Sequence, residues 1–121
     1  MKLGMHFDHD TVVAVIGAGS MGAGIAQLAA QSGHAVRLFD SQPGATDRAL
    51  ARIDADLALS LQRGRIDAAE RAAVRGRIRA ASDFAELAGC GLAVEAIVEN
   101  LDAKKALFRE LERVLGADAV L

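Results

Sequence analysis

Tryptophan and tyrosine are absent from these 121 residues, and cysteine and proline occur once each. With aromatic residues at only 3%, the core has to be built from aliphatic side chains and alanine. The lone Cys90 excludes an intrachain disulfide and fits a reducing cytoplasm. No apolar run reaches the roughly 18–20 residues that span a bilayer, so no membrane span is expected. The opening MKLGMHFDHD lacks the apolar centre of a secretory signal. Neither sign of charge dominates: the net charge is −2, which does not favour a nucleic-acid surface. The length sets one domain at most, and 52% hydrophobic residues suffice for its core.

Glycine, by contrast, is plentiful, and its placement organises residues 11–40. Residues 11–16 are apolar and rich in β-branched side chains, as expected of a buried strand. Gly17, Gly19 and Gly22 follow at fixed spacing. A helical pattern then runs to about Ser32, with Ile25, Leu28 and Ala29 on one face, and Gly33 stands where a helix C-cap expects glycine. A second strand over 35–39 leads to Asp40. Glycines at such spacing arise readily by chance. Strand, glycine turn, helix, strand and acid in about thirty residues are the layout of a dinucleotide-binding βαβ unit.

The chemistry explains the residue types. The first turn of a helix carries unpartnered N–H groups and a partial positive charge, which suit a pyrophosphate. Gly17 permits the tight turn out of the strand, Gly19 lets the backbone approach the phosphates, and Gly22 lets the helix pack closely on the strand. A carboxylate at Asp40 accepts hydrogen bonds from the adenosine ribose hydroxyls and repels a 2′-phosphate, so the expected cofactor is NAD rather than NADP.

Elsewhere the chain alternates. Residues 1–10 form a polar lead-in; His6, Asp8, His9 and Asp10 are metal-ligand types at no ordered spacing, and no metal is expected. His34 reads as a turn residue and Cys90 as a small structural one. Pro43 suits a helix entry, and Leu50, Ile53, Leu57 and Leu61 recur at helical spacing over 44–62, with Gly64 as the stop. Asp67 and Glu70 resemble a capping pair for a second helix over 67–75. The arginines of this hairpin, Arg48, Arg52, Arg63, Arg65, Arg71 and Arg75, are interleaved with acids, as on a solvated surface; the sharper reading has some of them meeting phosphates of a second ligand. A third strand is expected over 77–81, a brief helix capped by Ser82 or Asp83 through Leu87, a turn at Gly89-Cys90-Gly91, a fourth strand over 92–98, a helix over 103–115 and a fifth strand over 119–121. Such alternation gives an α/β fold, a Rossmann-type doubly wound parallel sheet of about five strands in the order 3-2-1-4-5, with a helical hairpin between strands two and three. Its crevice lies between strands one and four, with Gly17–Gly22 on one side and Glu95, Ala96 and Glu99 on the other.

The stretches VIGAGSMGAGIA (15–26), VEAIVENL (94–101) and KKALF (104–108) together resemble the 3-hydroxyacyl-CoA dehydrogenases. The resemblance covers nearly the whole chain. It implies that Gly17, Ala18, Gly19, Ser20, Met21 and Gly22 cradle the pyrophosphate, that Asp40 takes the ribose, and that Glu99 and Lys104 line the nicotinamide side. The family's hairpin also meets coenzyme A through a serine and a lysine. The matching positions are Asp56, which lacks the hydroxyl and would repel phosphate, and Arg63, which keeps the charge. The family's catalytic histidine and its glutamate partner, a further serine and asparagine, and a helical domain that forms a homodimer all lie past this stretch. None of His6, His9 or His34 matches that histidine.

The resemblance therefore implies an NAD-binding domain over 11–121, truncated before the catalytic residues. The longer protein is expected to oxidise an L-3-hydroxyacyl-CoA to the 3-ketoacyl-CoA in cytoplasmic fatty-acid or related acyl-CoA metabolism. The 121 residues alone are expected to be inactive and, with sheet edge and domain face uncovered, marginally stable or self-associating. Two alternatives stay open: a stand-alone NAD(H)-sensing module, and a hydroxy-acid dehydrogenase that does not use CoA.

Overall fold

A strand of four residues, β1 (Val13–Ile16), is the centre of the molecule. In the computed structural model, which describes residues 11–87, 90, 92–96 and 109, it pairs in parallel with β2 (Val36–Phe39) on one side and β4 (Leu92–Glu95) on the other. Beyond β2 lies β3 (Ile78–Ala80), so the order is β3-β2-β1-β4, the first four strands of the expected arrangement. The registers Val13↔Val36 and Val13↔Leu92 align the C-terminal ends of β1, β2 and β4, with Ile16 opposite both Phe39 and Glu95. Residues 97–98 of the expected fourth strand, the helix over 103–115 and the fifth strand lie outside the described residues. So does the polar lead-in.

Side chains of β1 alternate between two packed faces, as a parallel strand covered on both sides requires. Val13 and Val15 join Ile25, Leu28, Val36, Leu38, Ile53 and Leu57 in the main core, while Ala14 packs with Ala81 and Leu87, flanked by Ile16, Phe39 and Cys90. Helix α1 (Ser20–Gln31) covers the main face with alanines and aliphatics, and Gly33, at φ +98°, turns the chain into β2. The first two strands begin one or two residues later than the apolar pattern suggests. The pairing of β1 starts where the Val13 amide donates to the Ala35 carbonyl, and the Thr11 carbonyl lies 3.0 Å from Nδ1 of buried His34. His34 thus anchors the chain entering the sheet.

The helical hairpin forms between β2 and β3. Helix α2 (Ala45–Gln62) begins after Gly44, at φ +79°, and ends at Arg63, with Gly64 at φ +72°. Its inward stripe is Ala49, Ile53 and Leu57. Helix α3 (Ala68–Gly76) starts at Asp67, whose carboxylate accepts from the Glu70 amide at 2.8 Å. The hairpin is tied by Arg75 to Asp54 at 2.7 Å, and Arg77 reaches back to the Ala30 carbonyl at 2.8 Å. The brief helix after β3 is a 3₁₀ turn, Phe84–Leu87. Four residues cannot sustain an α-helical ladder; Asp83 caps the turn by accepting from the Glu86 amide at 3.1 Å.

Candidate cofactor site

At the end of β1 the chain must turn sharply into α1. Gly17 does so at φ +106°, a conformation that side-chain-bearing residues rarely adopt, with its amide donating to the Phe39 carbonyl at 2.8 Å. Gly22 lies so close beneath this turn that a Cβ there would stand 1.7 Å from the Gly17 carbonyl oxygen and 3.6 Å from the Ala96 Cβ. Alanine therefore cannot occupy position 22 without forcing turn and helix apart. Gly19 differs: a Cβ added there meets no atom within 4 Å. The space beside it is open for an approaching group.

Gly19 is also the N-cap of α1, and no side chain caps this helix; its first turn holds no acid either. Helix α3, by contrast, carries an aspartate cap. A capping carboxylate at α1 would compete with an anionic ligand for the same amides. Ser20 and Gly19 are exposed, whereas Ala18 and Met21 bury their side chains in the core, leaving their backbone as the part that faces the loop.

Asp40 binds directly to this loop. Its Oδ2 accepts from the Ala18 amide and its Oδ1 from the Gln42 amide, both at 2.8 Å. The Ala18 hydrogen bond, then the Gln42 one, hold its carboxyl below the usual carboxylate range, and the positive charge of Arg48 adds to this against the opposing effect of burial. Two acceptor positions are thereby used. A carboxylate offers about four, so capacity remains for ribose hydroxyls.

On the far side of the loop, the Ala96 amide donates to the Ile16 carbonyl at 2.8 Å, and buried Ala96 closes against Gly22. The glycine turn thus sits at the switch point where the chain leaves β1 and the sheet continues to β4, the position at which doubly wound sheets bind ligands.

The sequence pattern did not distinguish one further side. Arg48, Arg52 and Asp56 form an i, i+4, i+8 stripe on α2 beside its buried stripe. Arg52 donates to the Ser20 Oγ at 2.9 Å, and Arg48 lies over Gly44, where an added Cβ would come 3.0 Å from its Nη1. Asp56 accepts from Gln27 Nε2 at 2.5 Å and so serves as a tie between α2 and α1. Arg63 caps the opposite end of α2, about 16 Å along the axis from Arg52. Glu99 and Lys104 lie outside the described residues.

Among the described residues no group of three or more His, Cys, Asp and Glu side chains could hold a metal ion, and no helix is long and apolar enough to cross a membrane. Cys90 is half-buried; burial pushes its thiol up, partly opposed by Arg37.

The sequence model of the family described as "3-hydroxyacyl-CoA dehydrogenase, NAD binding domain" matches residues 12–121. A probable 3-hydroxybutyryl-CoA dehydrogenase of Deinococcus radiodurans is 43% identical over 108 residues, which cover 88% of this chain and 38% of that protein. The 3-hydroxyadipyl-CoA dehydrogenase of Escherichia coli K12 is 41% identical over 109 residues, covering 90% of this chain and 23% of the relative. Among solved structures, a 3-hydroxybutyryl-CoA dehydrogenase from Escherichia coli K12 superimposes with a TM-score of 0.70 at 42% identity, over 87% of this chain and 22% of that one. The chain thus spans well under half the length of each.

Proposed function

This chain belongs to the 3-hydroxyacyl-CoA dehydrogenase family, as its NAD-binding domain, and from that membership we propose that it is the cofactor-holding part of an enzyme oxidising a 3-hydroxyacyl-CoA to the 3-ketoacyl-CoA. NAD, when bound, supplies the hydride acceptor. Holding and orienting that cofactor falls to residues of this chain, with residues 1–10 a lead-in and 11–121 the domain.

In this reading Gly17 makes the turn, and the backbone of Gly19, Ser20, Met21 and Gly22 holds the pyrophosphate at the start of α1. Ala18 shapes the loop through its bond to Asp40, and Asp40 spends its remaining acceptor capacity on the adenosine ribose. Glu99 and Lys104 border the nicotinamide, and Arg63 meets a phosphate of coenzyme A. Asp56 is not a CoA contact in this reading: its charge would repel a phosphate, and it serves instead as the tie to Gln27. The acyl-CoA partner, a homodimeric whole protein without nucleic-acid or membrane partners, a cytoplasmic setting and a place in fatty-acid or related acyl-CoA breakdown complete the proposal. The names of the relatives support a short or dicarboxylic acyl chain. Proton removal from the substrate is assigned to a histidine outside these 121 residues, so they bind cofactor without turnover.

The observation that carries this reading is the Asp40 carboxylate bonded to the glycine loop beside an uncapped helix start. Titration of the chain with NADH and NADPH tests it. Saturable NADH binding with at least about tenfold weaker NADPH binding is expected. Equal binding of both, or turnover of acetoacetyl-CoA with NADH by this chain alone, would contradict it.

A further inference from the structure

The cleft has a second wall, and a cation stands on it. Ser20 is the first residue of α1, directly after Gly19, where the open space beside the loop meets the helix amides. The Arg52 guanidinium, from α2, donates to its hydroxyl at 2.9 Å. Both side chains are exposed, so the guanidinium is held at the mouth of the loop rather than sealed beneath it. A guanidinium has five N–H donors, and one bond to a serine leaves most of them for a second acceptor. One turn earlier, Arg48 lies over Gly44 towards the Asp40 end of the cleft. The contacts of α2 thus run along the cleft from its Asp40 end to its Ser20 end, which is the order of ribose and pyrophosphate in the reading above.

We propose that Arg52 is a further cofactor-binding residue, supplying from the helical hairpin a charge-assisted hydrogen bond to the pyrophosphate held by the α1 amides, with Ser20 keeping its guanidinium in place. This rests on the proposed dinucleotide site. It assigns one arginine of the hairpin to the cofactor rather than to a solvated surface. The positive end of a helix and a guanidinium then converge on the same anion from two sides, a stronger arrangement than either alone.

The test compares wild type, Arg52→Met, which keeps much of the apolar stem, and Arg52→Lys, which keeps the charge. Affinities for NADH, NADPH and ADP-ribose are measured at low and high salt, with thermal melts as the folding control. The expected result is about 5- to 30-fold weaker binding of both NADH and ADP-ribose by Arg52→Met. Its salt dependence should be shallower and its melt unchanged, with Arg52→Lys intermediate. Unchanged affinity and salt dependence in Arg52→Met would overturn the proposal while leaving the cofactor site intact. A loss confined to NADPH would overturn it in favour of a 2′-phosphate contact. Absence of NADH binding by wild type would remove the underlying site and the proposal together.

Discussion

The Asp40 carboxylate accepts a hydrogen bond from the Ala18 amide at 2.8 Å, joining the end of β2 to the glycine loop that follows β1. One side chain thereby fixes the loop's shape and presents negative charge at the place where a ribose would lie. The charged form is favoured because two backbone amides donate to it. A group whose folded-state pKa is depressed adds stability above its unfolded value, and that stability is lost as pH falls through the folded value. Wild type should therefore exceed Asp40→Asn in stability near neutral pH, by no more than about 1 kcal/mol because solvent screens this partly exposed group. The gap should close as pH falls below the ordinary carboxylate range and through the depressed folded-state value of Asp40. Urea titrations of the two proteins across that range check this; a gap independent of pH would show that the carboxylate is not ionised against the loop.

Gly19 and Gly22, three residues apart at the start of α1, should respond to alanine in opposite ways.

Gly22→Ala places a methyl group against the Gly17 carbonyl, backbone that cannot swing aside. It should cost about 1–3 kcal/mol or more and weaken cofactor binding with it. Chemical denaturation alone reveals the first effect.

Gly19→Ala meets no protein atom, and its extended backbone, φ −78° and ψ −164°, accepts a side chain. Stability should stay within about 0.5 kcal/mol of wild type. NADH affinity should fall at least about tenfold, because the methyl occupies the phosphate's approach. Parallel melts and NADH titrations separate the two glycines; a stable Gly19→Ala with full affinity would count against a phosphate at this loop.

Away from the cleft, Leu57 is 1% exposed in the main core, and Leu57→Ala should cost about 2–5 kcal/mol. The Arg75–Asp54 pair is 36% and 49% exposed, so Asp54→Ala should cost no more than about 1 kcal/mol. Denaturant midpoints for the two variants rank the forces that hold the hairpin on the sheet.

Much of this architecture was legible because local chemistry dictates it. Gly17, Gly33 and Gly64 stand at positive φ where the chain turns out of a strand or helix, and Asp67 caps α3 as its spacing to Glu70 implies. Of the stripe expected on α2, Ile53 and Leu57 are buried while Leu50 and Leu61 are half-buried, Ala45 and Ala49 taking the inward positions of the first two turns; Asp40 lay where a βαβ unit needs an acid. What the pattern left open is how far α2 is rotated about its axis against α1. That rotation decides that Arg52 meets Ser20 and Asp56 meets Gln27, pairs 32 and 29 residues apart. Periodicity separates buried from exposed faces but does not say which edge of the exposed face borders the cleft. The 3₁₀ turn at Phe84–Leu87 was likewise left open, since the cap marks only where a brief helix starts and not its hydrogen-bond pattern.

The most direct measurement follows backbone amide resonances of the chain during titration with NADH. The expected result is saturable shifts centred on Gly17, Ala18, Gly19, Ser20, Met21 and Gly22, extending to Gln42 beside Asp40. Saturable shifts confined to the Arg63 end of the hairpin, or no shifts at the start of α1, would contradict a pyrophosphate held by the first amides of that helix.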